Sequence, residues 1–231
     1  MSTPLIHQQH YPSAARACCS DAWEGAYLSL GGDAQETAKF RRRLKWLGCH
    51  VWPRDARIAE ICCGSGDGLD ALSEFGFSNV VGIDLSHGLL SRYSGSVPVL
   101  LGDCRCLPLR SASCDVVIVQ GGLHHLDELD EELEATFAEV RRVLRPMGKF
   151  VVVEPWRTRF LDLFHFASRL AFLRKVWPRF DAMATMTELE HEGYWHWLSS
   201  ASLVRDLLES AFVAEYARIG WGKLWYVGRP R

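Results

Sequence analysis

The chain has no long apolar run. Nowhere do its 231 residues supply the roughly 18 consecutive apolar positions that a membrane-spanning helix needs. Residues 1–16 lack a basic stretch leading into an apolar core, so no secretory leader is expected and the expected compartment is the cytoplasm. Neither sign of charge is in excess. A formal net charge of −2 leaves no electrostatic footprint for wrapping nucleic acid, and no such partner is expected. Internal repeats and low-complexity stretches are missing. Paired metal knuckles are missing too, although the chain has eight cysteines, Cys18, Cys19, Cys49, Cys62, Cys63, Cys104, Cys106 and Cys114. None forms a CxxC motif, and adjacent pairs do not suit ordinary disulfides, so reduced thiols and no metal centre are expected.

What is present is alternation. Short, nearly continuous apolar runs at 57–62, 79–83, 97–101, 115–120 and 149–154 are separated by helical patterns at 68–74, 86–93 and 129–144. Continuous runs mark strands buried on both faces, as in a parallel sheet covered by helices, so the spacing predicts a doubly wound α/β fold. Two helices are expected within 20–48, broken at Gly31-Gly32, as an N-terminal helical segment (1–50) ahead of the main domain (51–231). After Glu154 the alternation stops. Residues 155–199 read as a helical insertion broken at Pro178, placed beyond the fifth strand at the carboxyl edge of the sheet, where ligands bind in open α/β folds. A helix at 200–211 and two strands at 212–218 and 224–228, close enough to pair antiparallel, complete the chain.

The informative stretch is Glu60-Ile-Cys-Cys63-Gly64-Ser65-Gly66-Asp67-Gly68. A buried strand runs into a glycine-rich turn that opens a helix, where a ligand can approach the backbone closely. The glycines do not follow the GxGxxG spacing of a dinucleotide-binding dehydrogenase, which disfavours a nicotinamide enzyme. Glu60, at the end of the first strand, would repel a pyrophosphate and welcome an ammonium group. Asp84 ends the second strand and suits two ribose hydroxyls. Asp103 ends the third and suits an adenine amino group. A single acid of this kind would be an ordinary solvated loop end; three at the ends of successive strands point to one nucleoside site.

These stretches, with GDCRCLPL (102–109), CDVVIVQGGLHHL (114–126) and RVLRPMGKFVVVEP (142–155), closely resemble the ordered motifs of class I S-adenosylmethionine (SAM)-dependent methyltransferases, in particular the methyltransferase type 11 group. The resemblance covers roughly 57–154. It implies a mostly parallel seven-stranded sheet and SAM as the cofactor. It also implies Glu60, Gly64, Ser65 and Gly66 at the methionine part, Asp84 at the ribose, and Leu85 against the adenine. Asp103 and the Cys104 backbone N–H would meet the adenine edge, and the Gln120 backbone the methionine side. One departure stands out: Cys62 occupies the first glycine position of the group's GxGxG pattern.

Methyl transfer to a hydroxyl benefits from a general base. His124, just past the fourth strand, is the first candidate, with a packing role as its alternative; His125 reads as structural. Glu154, ending the fifth strand, is a second acid/base candidate or a residue that holds the insertion. Any of His191, Tyr194 and Trp195 could line an acceptor pocket from the insertion. His191 and His196 are five apart rather than four, which argues against a zincin-type metal helix. Residues 157–179 are basic and interleaved with Phe, Leu and Trp. They suit a lid helix with its arginines in water, or else contact with a membrane surface. The expected activity is methylation of a small-molecule acceptor, most readily a hydroxyl, in biosynthesis or tailoring. Its rival is a catalytically silent methyltransferase-like partner subunit.

Overall fold

The computed structural model describes residues 20–30 and 34–231. The expectations at Cys18, Cys19 and Gly31-Gly32 lie outside the described residues.

Seven strands form one sheet in the order β3-β2-β1-β4-β5-β7-β6. They are β1 (Arg57–Ile61), β2 (Asn79–Asp84), β3 (Val99–Leu101), β4 (Cys114–Gln120), β5 (Leu144–Pro155), β6 (Phe212–Gly220) and β7 (Lys223–Pro230). The first five run parallel, and β7 lies antiparallel to both β5 and β6. The mixed, doubly wound sheet expected from the alternating pattern is the observed one. Its centre is apolar on both faces: Val117, Ile118, Val119, Val151 and Val152 are each fully enclosed.

The helices are α1 (Asp21–Leu30), α2 (Ala34–Trp46), α3 (Asp67–Glu74), α4 (His87–Leu90), α5 (Leu129–Val143), α6 (Arg159–Ser168), α7 (Ala171–Val176), α8 (Pro178–Leu189), α9 (His191–Ser199) and α10 (Ala201–Ala211). Helix α5 illustrates why the sequence folds as it does. Leu129, Leu133, Phe137 and Val140 recur on one face and are buried, and Asp130, Glu131 and Glu132 lie in the first turn with Arg141 and Arg142 in the last, matching the helix dipole. Phe137 packs against Phe150 and Phe212, which ties α5 to β5 and β6. Each such ring contributes on the order of 2–3 kcal/mol of burial.

Three boundaries differ from expectation. The helix expected at 86–93 is a single turn, because Ser86 caps it through Leu89 N–H and the following Tyr-Ser-Gly-Ser cannot sustain it. The third strand shortens to Val99–Leu101, since Pro98 has no N–H for a ladder. The insertion breaks at Pro178 as expected, with Pro178 in the first turn of α8, and breaks again near Arg169 and at Glu190 to give four helices. No helix among the described residues is long and apolar enough to cross a membrane.

Candidate active site

The carboxyl ends of β1, β2 and β4 converge on the glycine turn. Glu60 is almost fully buried, and its carboxylate lies against Gly68, where an added Cβ would come within 2.1 Å of Oε1. Glycine is therefore required at 68 for the acid to sit there. Gln120 Nε2 donates to Glu60 Oε1 at 3.1 Å, whereas Glu60 Oε2 and Gln120 Oε1 are buried and meet no hydrogen-bond partner among the described residues. Burial pushes the Glu60 carboxyl up to about 8, only partly opposed by the Gln120 bond. Gln120 thus enters through its side chain, where only its backbone had been expected to matter.

Asp84 closes the turn. Its Oδ2 accepts from Gly64 N–H at 2.7 Å and its Oδ1 from Ser86 N–H at 2.8 Å. Each oxygen keeps a further lone pair for a ligand. Gly66, at φ +90°, has the left-handed backbone that starts α3. Cys62 also lies in the left-handed region, at φ 54°, so the turn keeps the conformation that a glycine there would adopt. Gly122 makes room for it, because a Cβ at 122 would fall 2.3 Å from that of Cys62.

Asp103 has a local partner that sequence reasoning missed. Its two oxygens accept from the Arg105 guanidinium at 2.5–3.1 Å, and Oδ1 also accepts from the Arg105 backbone N–H at 2.9 Å. Arg105 bridges onward to Glu132 on α5. An adenine amino group would have to share Asp103 with this guanidinium. Cys104 lies beside it, its thiol 3.6 Å from the Thr136 hydroxyl, and Leu85 is exposed at the rim.

The second cluster lies past β4. Glu154 is completely buried, and its Oε1 accepts from Gly122 and Leu123 N–H at 2.8 and 2.9 Å, holding the turn after β4. Its Oε2 meets His124 Nδ1 at 2.8 Å. His124 Nε2 faces Glu190 Oε2 at 3.6 Å, too long for a full hydrogen bond. Burial alone would lower the His124 pKa, but its bonds to Glu154 and Glu190 outweigh burial and raise it to about 9. Glu190 is held down to about 2: burial opposes this, but His125, His124 and Trp23 outweigh it. The two carboxylates favour the protonated form of the His124 ring. Glu154 is committed to the turn and to His124.

Glu190 is anchored from the other end of the chain, where Trp23 Nε1 donates to its Oε1. Tyr27, stacked on Trp23 at 5.2 Å, lies against Gly64, so α1 covers the glycine turn and reaches the insertion together. A cavity of about 390 Å³ opens beside His124, lined also by His125, Glu190, His191 and Tyr194. His191 is exposed at its mouth. Behind Tyr194, His165 Nε2 lies 3.2 Å from the phenol oxygen. His124, His125 and Glu190 bring nitrogen and oxygen atoms within 4.8 Å of one another, the one grouping of metal-ligand type among the described residues. A protonated His124 between two carboxylates leaves little excess negative charge there to recruit a divalent ion.

Residues 59–152 match the family model described as a methyltransferase domain. The chain is 26% identical over 209 residues to the ubiquinone/menaquinone biosynthesis C-methyltransferase UbiE of Campylobacter jejuni, covering 84% of this chain and 86% of that protein. Among solved structures, the SAM-dependent methyltransferase from Aquifex aeolicus superposes with a TM-score of 0.60 at 14% identity, covering 90% of this chain and 98% of that one. The PH0226 protein of Pyrococcus horikoshii superposes at 0.64 and 20% identity, covering 86% and 93%. Residues 59–152 thus carry a methyltransferase domain, on the fold that SAM-dependent methyltransferases share.

In this methyltransferase the match runs from β1 through β5, the strands that carry the glycine turn, Asp84, Asp103, Gln120 and His124. The groups that sequence reasoning missed lie mostly outside it: Trp23 and Tyr27 on α1, Glu190 between α8 and α9, and His165 in α6. Arg43 and Lys223 also lie outside it, partly buried and electrostatically coupled to Glu154. Burial lowers Arg43 to about 10 and Lys223 to about 7. Of these only His165 had a visible signal, as a polar ring within an otherwise apolar helical stripe.

Proposed function

We propose that this methyltransferase holds SAM across the ends of β1, β2, β3 and β4 and methylates a small molecule carrying an acidic hydroxyl, a phenol or enol, beside His124. SAM supplies an electrophilic methyl group on a sulfonium. Toward its methionine part, Glu60 Oε2 and Gln120 Oε1 offer two buried, unpartnered acceptors that suit an ammonium, and Arg43 suits a carboxylate. Gly64, Ser65 and Gly66 leave the backbone open, Asp84 offers its spare lone pairs to ribose hydroxyls, and Leu85, Asp103 and Cys104 form the adenine rim. The helices of 155–199, with α1, cover the acceptor.

The observation that carries the acceptor reading is the position of His124 between two carboxylates, with Nδ1 2.8 Å from Glu154 and Nε2 3.6 Å from Glu190, a setting that favours the charged ring. An imidazolium in a buried site stabilises an anionic oxygen and orients it for attack. A charged His124 thus selects an acceptor that is already, or easily, deprotonated. His191 at the cavity mouth is free to relay the proton to solvent. For a phenolate the nucleophile is either the oxygen or a ring carbon, and the printed name of the Campylobacter relative favours carbon as a second reading.

The test is turnover of phenolic and enolic acceptors with ¹³C-methyl SAM, reading the product by NMR as an O-methyl or C-methyl signal. Methylation confined to amines would overturn the acceptor proposal. If the imidazolium is required, the rate falls as pH rises through about 9; a neutral general base would give a rate that rises over the same range.

A further inference from the structure

The insertion has an outer surface that neither the cofactor site nor the acceptor site uses. Helix α6 is packed on one side only: His165 is buried beside Tyr194 and Trp195, and Leu161 lies against Gly222. Its other side and the helix after it carry Phe160, Leu163 and Phe166, then Phe172, Val176 and Trp177, all exposed, with Phe172 at 73% and Leu163 at 64%. Trp221, 71% exposed in the turn between β6 and β7, meets Phe160 edge-on at 5.3 Å and extends the patch onto the sheet domain. Folded domains rarely expose so many large apolar side chains in one region unless something covers them.

The charges among them are one-sided. Residues 157–177 contain five cations and a single acid, Asp162, and Asp162 pairs with Arg157. Arg174 is committed to Asp181 and Glu188. Arg159, Arg169 and Lys175 remain exposed on the same helices as the apolar side chains. Cations beside exposed Phe, Leu and Trp on short helices complement an interface that is apolar within and negative at its surface.

We infer that α6 and α7 form a membrane-docking face that inserts its aromatic and aliphatic side chains into the headgroup region of an anionic bilayer while Arg159, Arg169 and Lys175 meet lipid phosphates. Anionic lipid is favoured over a protein partner because the attraction is spread over separate cations flanking aromatic side chains. His165 of α6 reaches Tyr194, which lines the acceptor cavity, so docking would bring that cavity near the interface, where an apolar acceptor concentrates. That consequence depends on the acceptor site proposed above; bilayer binding does not.

The test is co-sedimentation of the full chain with vesicles of phosphatidylcholine alone and of phosphatidylcholine mixed with phosphatidylglycerol. Binding should be roughly tenfold to a hundredfold stronger to the anionic vesicles and should weaken as salt is raised. The variant R159E/R169E/K175E should lose the anionic preference, and F172S/W177S should lose most binding to either vesicle. Both should keep wild-type circular dichroism and SAM affinity, which separates loss of docking from misfolding or failure of the cofactor site. Three results would overturn the inference: no vesicle binding by folded wild-type protein, binding unchanged in both variants, or self-association through these residues that vesicles do not displace.

Discussion

Replacing Glu60 with glutamine separates what this acid costs the fold from what it gives the cofactor site. In the native protein burial lifts its pKa from the ordinary 4.5 to about 8, so it stays largely protonated at neutral pH while the unfolded chain ionises it. The sign follows from the extra proton held by the native state between those values: wild-type stability falls as pH rises from about 4.5 to about 8. At about 1.4 kcal/mol per pH unit, the full disadvantage is on the order of 5 kcal/mol. Glu60→Gln cannot ionise and keeps the geometry, so the variant should match wild type near pH 5 and exceed it by several kcal/mol near pH 9. Urea unfolding at the two pH values measures the difference, and a gap that does not widen with pH would refute the assignment. Cofactor binding should change in the opposite direction. An ammonium beside Glu60 favours the ionised form, so wild type should release about one proton on binding SAM, and its affinity should rise up to tenfold per pH unit below about 8. The variant should bind SAM with about 1.5–3 kcal/mol less free energy, without the proton release. Calorimetry in two buffers of different ionisation enthalpy reads both quantities.

Asp84→Ala should weaken SAM binding by about 1.5–3 kcal/mol and loosen the turn it closes through Gly64 N–H; wild-type affinity by calorimetry would remove Asp84 from the site. Gly122→Ala should destabilise the protein by about 1–3 kcal/mol, because its Cβ meets that of Cys62, and adding Cys62→Gly should restore most of the loss in thermal unfolding. Additive effects in that pair would show that the two positions do not share the space. His124→Asn should slow turnover by roughly 10²–10³ with little change in SAM affinity, as expected for a lost charge-stabilising donor. Deleting or shuffling 155–199 in a protein that still folds should spare SAM binding and abolish methylation, with single-turnover assays as the readout.

The sheet and the cofactor side were legible because they are written locally. Continuous apolar runs encode strands buried on both faces, and Glu60, Asp84 and Asp103 each sit at the end of their own strand. What could not be read depends on contacts distant in sequence. Trp23 and Glu190 are separated by 167 residues and meet only because α1 packs on α8. The charge on His124 follows from that meeting, since Glu154 supplies only half of the carboxylate environment and burial works against it. The Asp103–Arg105 pair shows the reverse case: the signal was two residues away, but a strand-end acid read as a ligand residue drew attention from its own neighbour. Cys62 was legible as a departure, although its consequence needed the backbone angle and the facing Gly122.

The protonation state of His124 tests the acceptor chemistry most directly. Imidazole ¹⁵N shifts of the full chain, assigned by comparison with His124→Asn, should show an imidazolium through pH 8 that loses its proton near 9, and Glu190→Gln should move that midpoint down. A ring that titrates near the ordinary 6.5 and is neutral at pH 7.5 would contradict the charged site and return His124 to the role of general base.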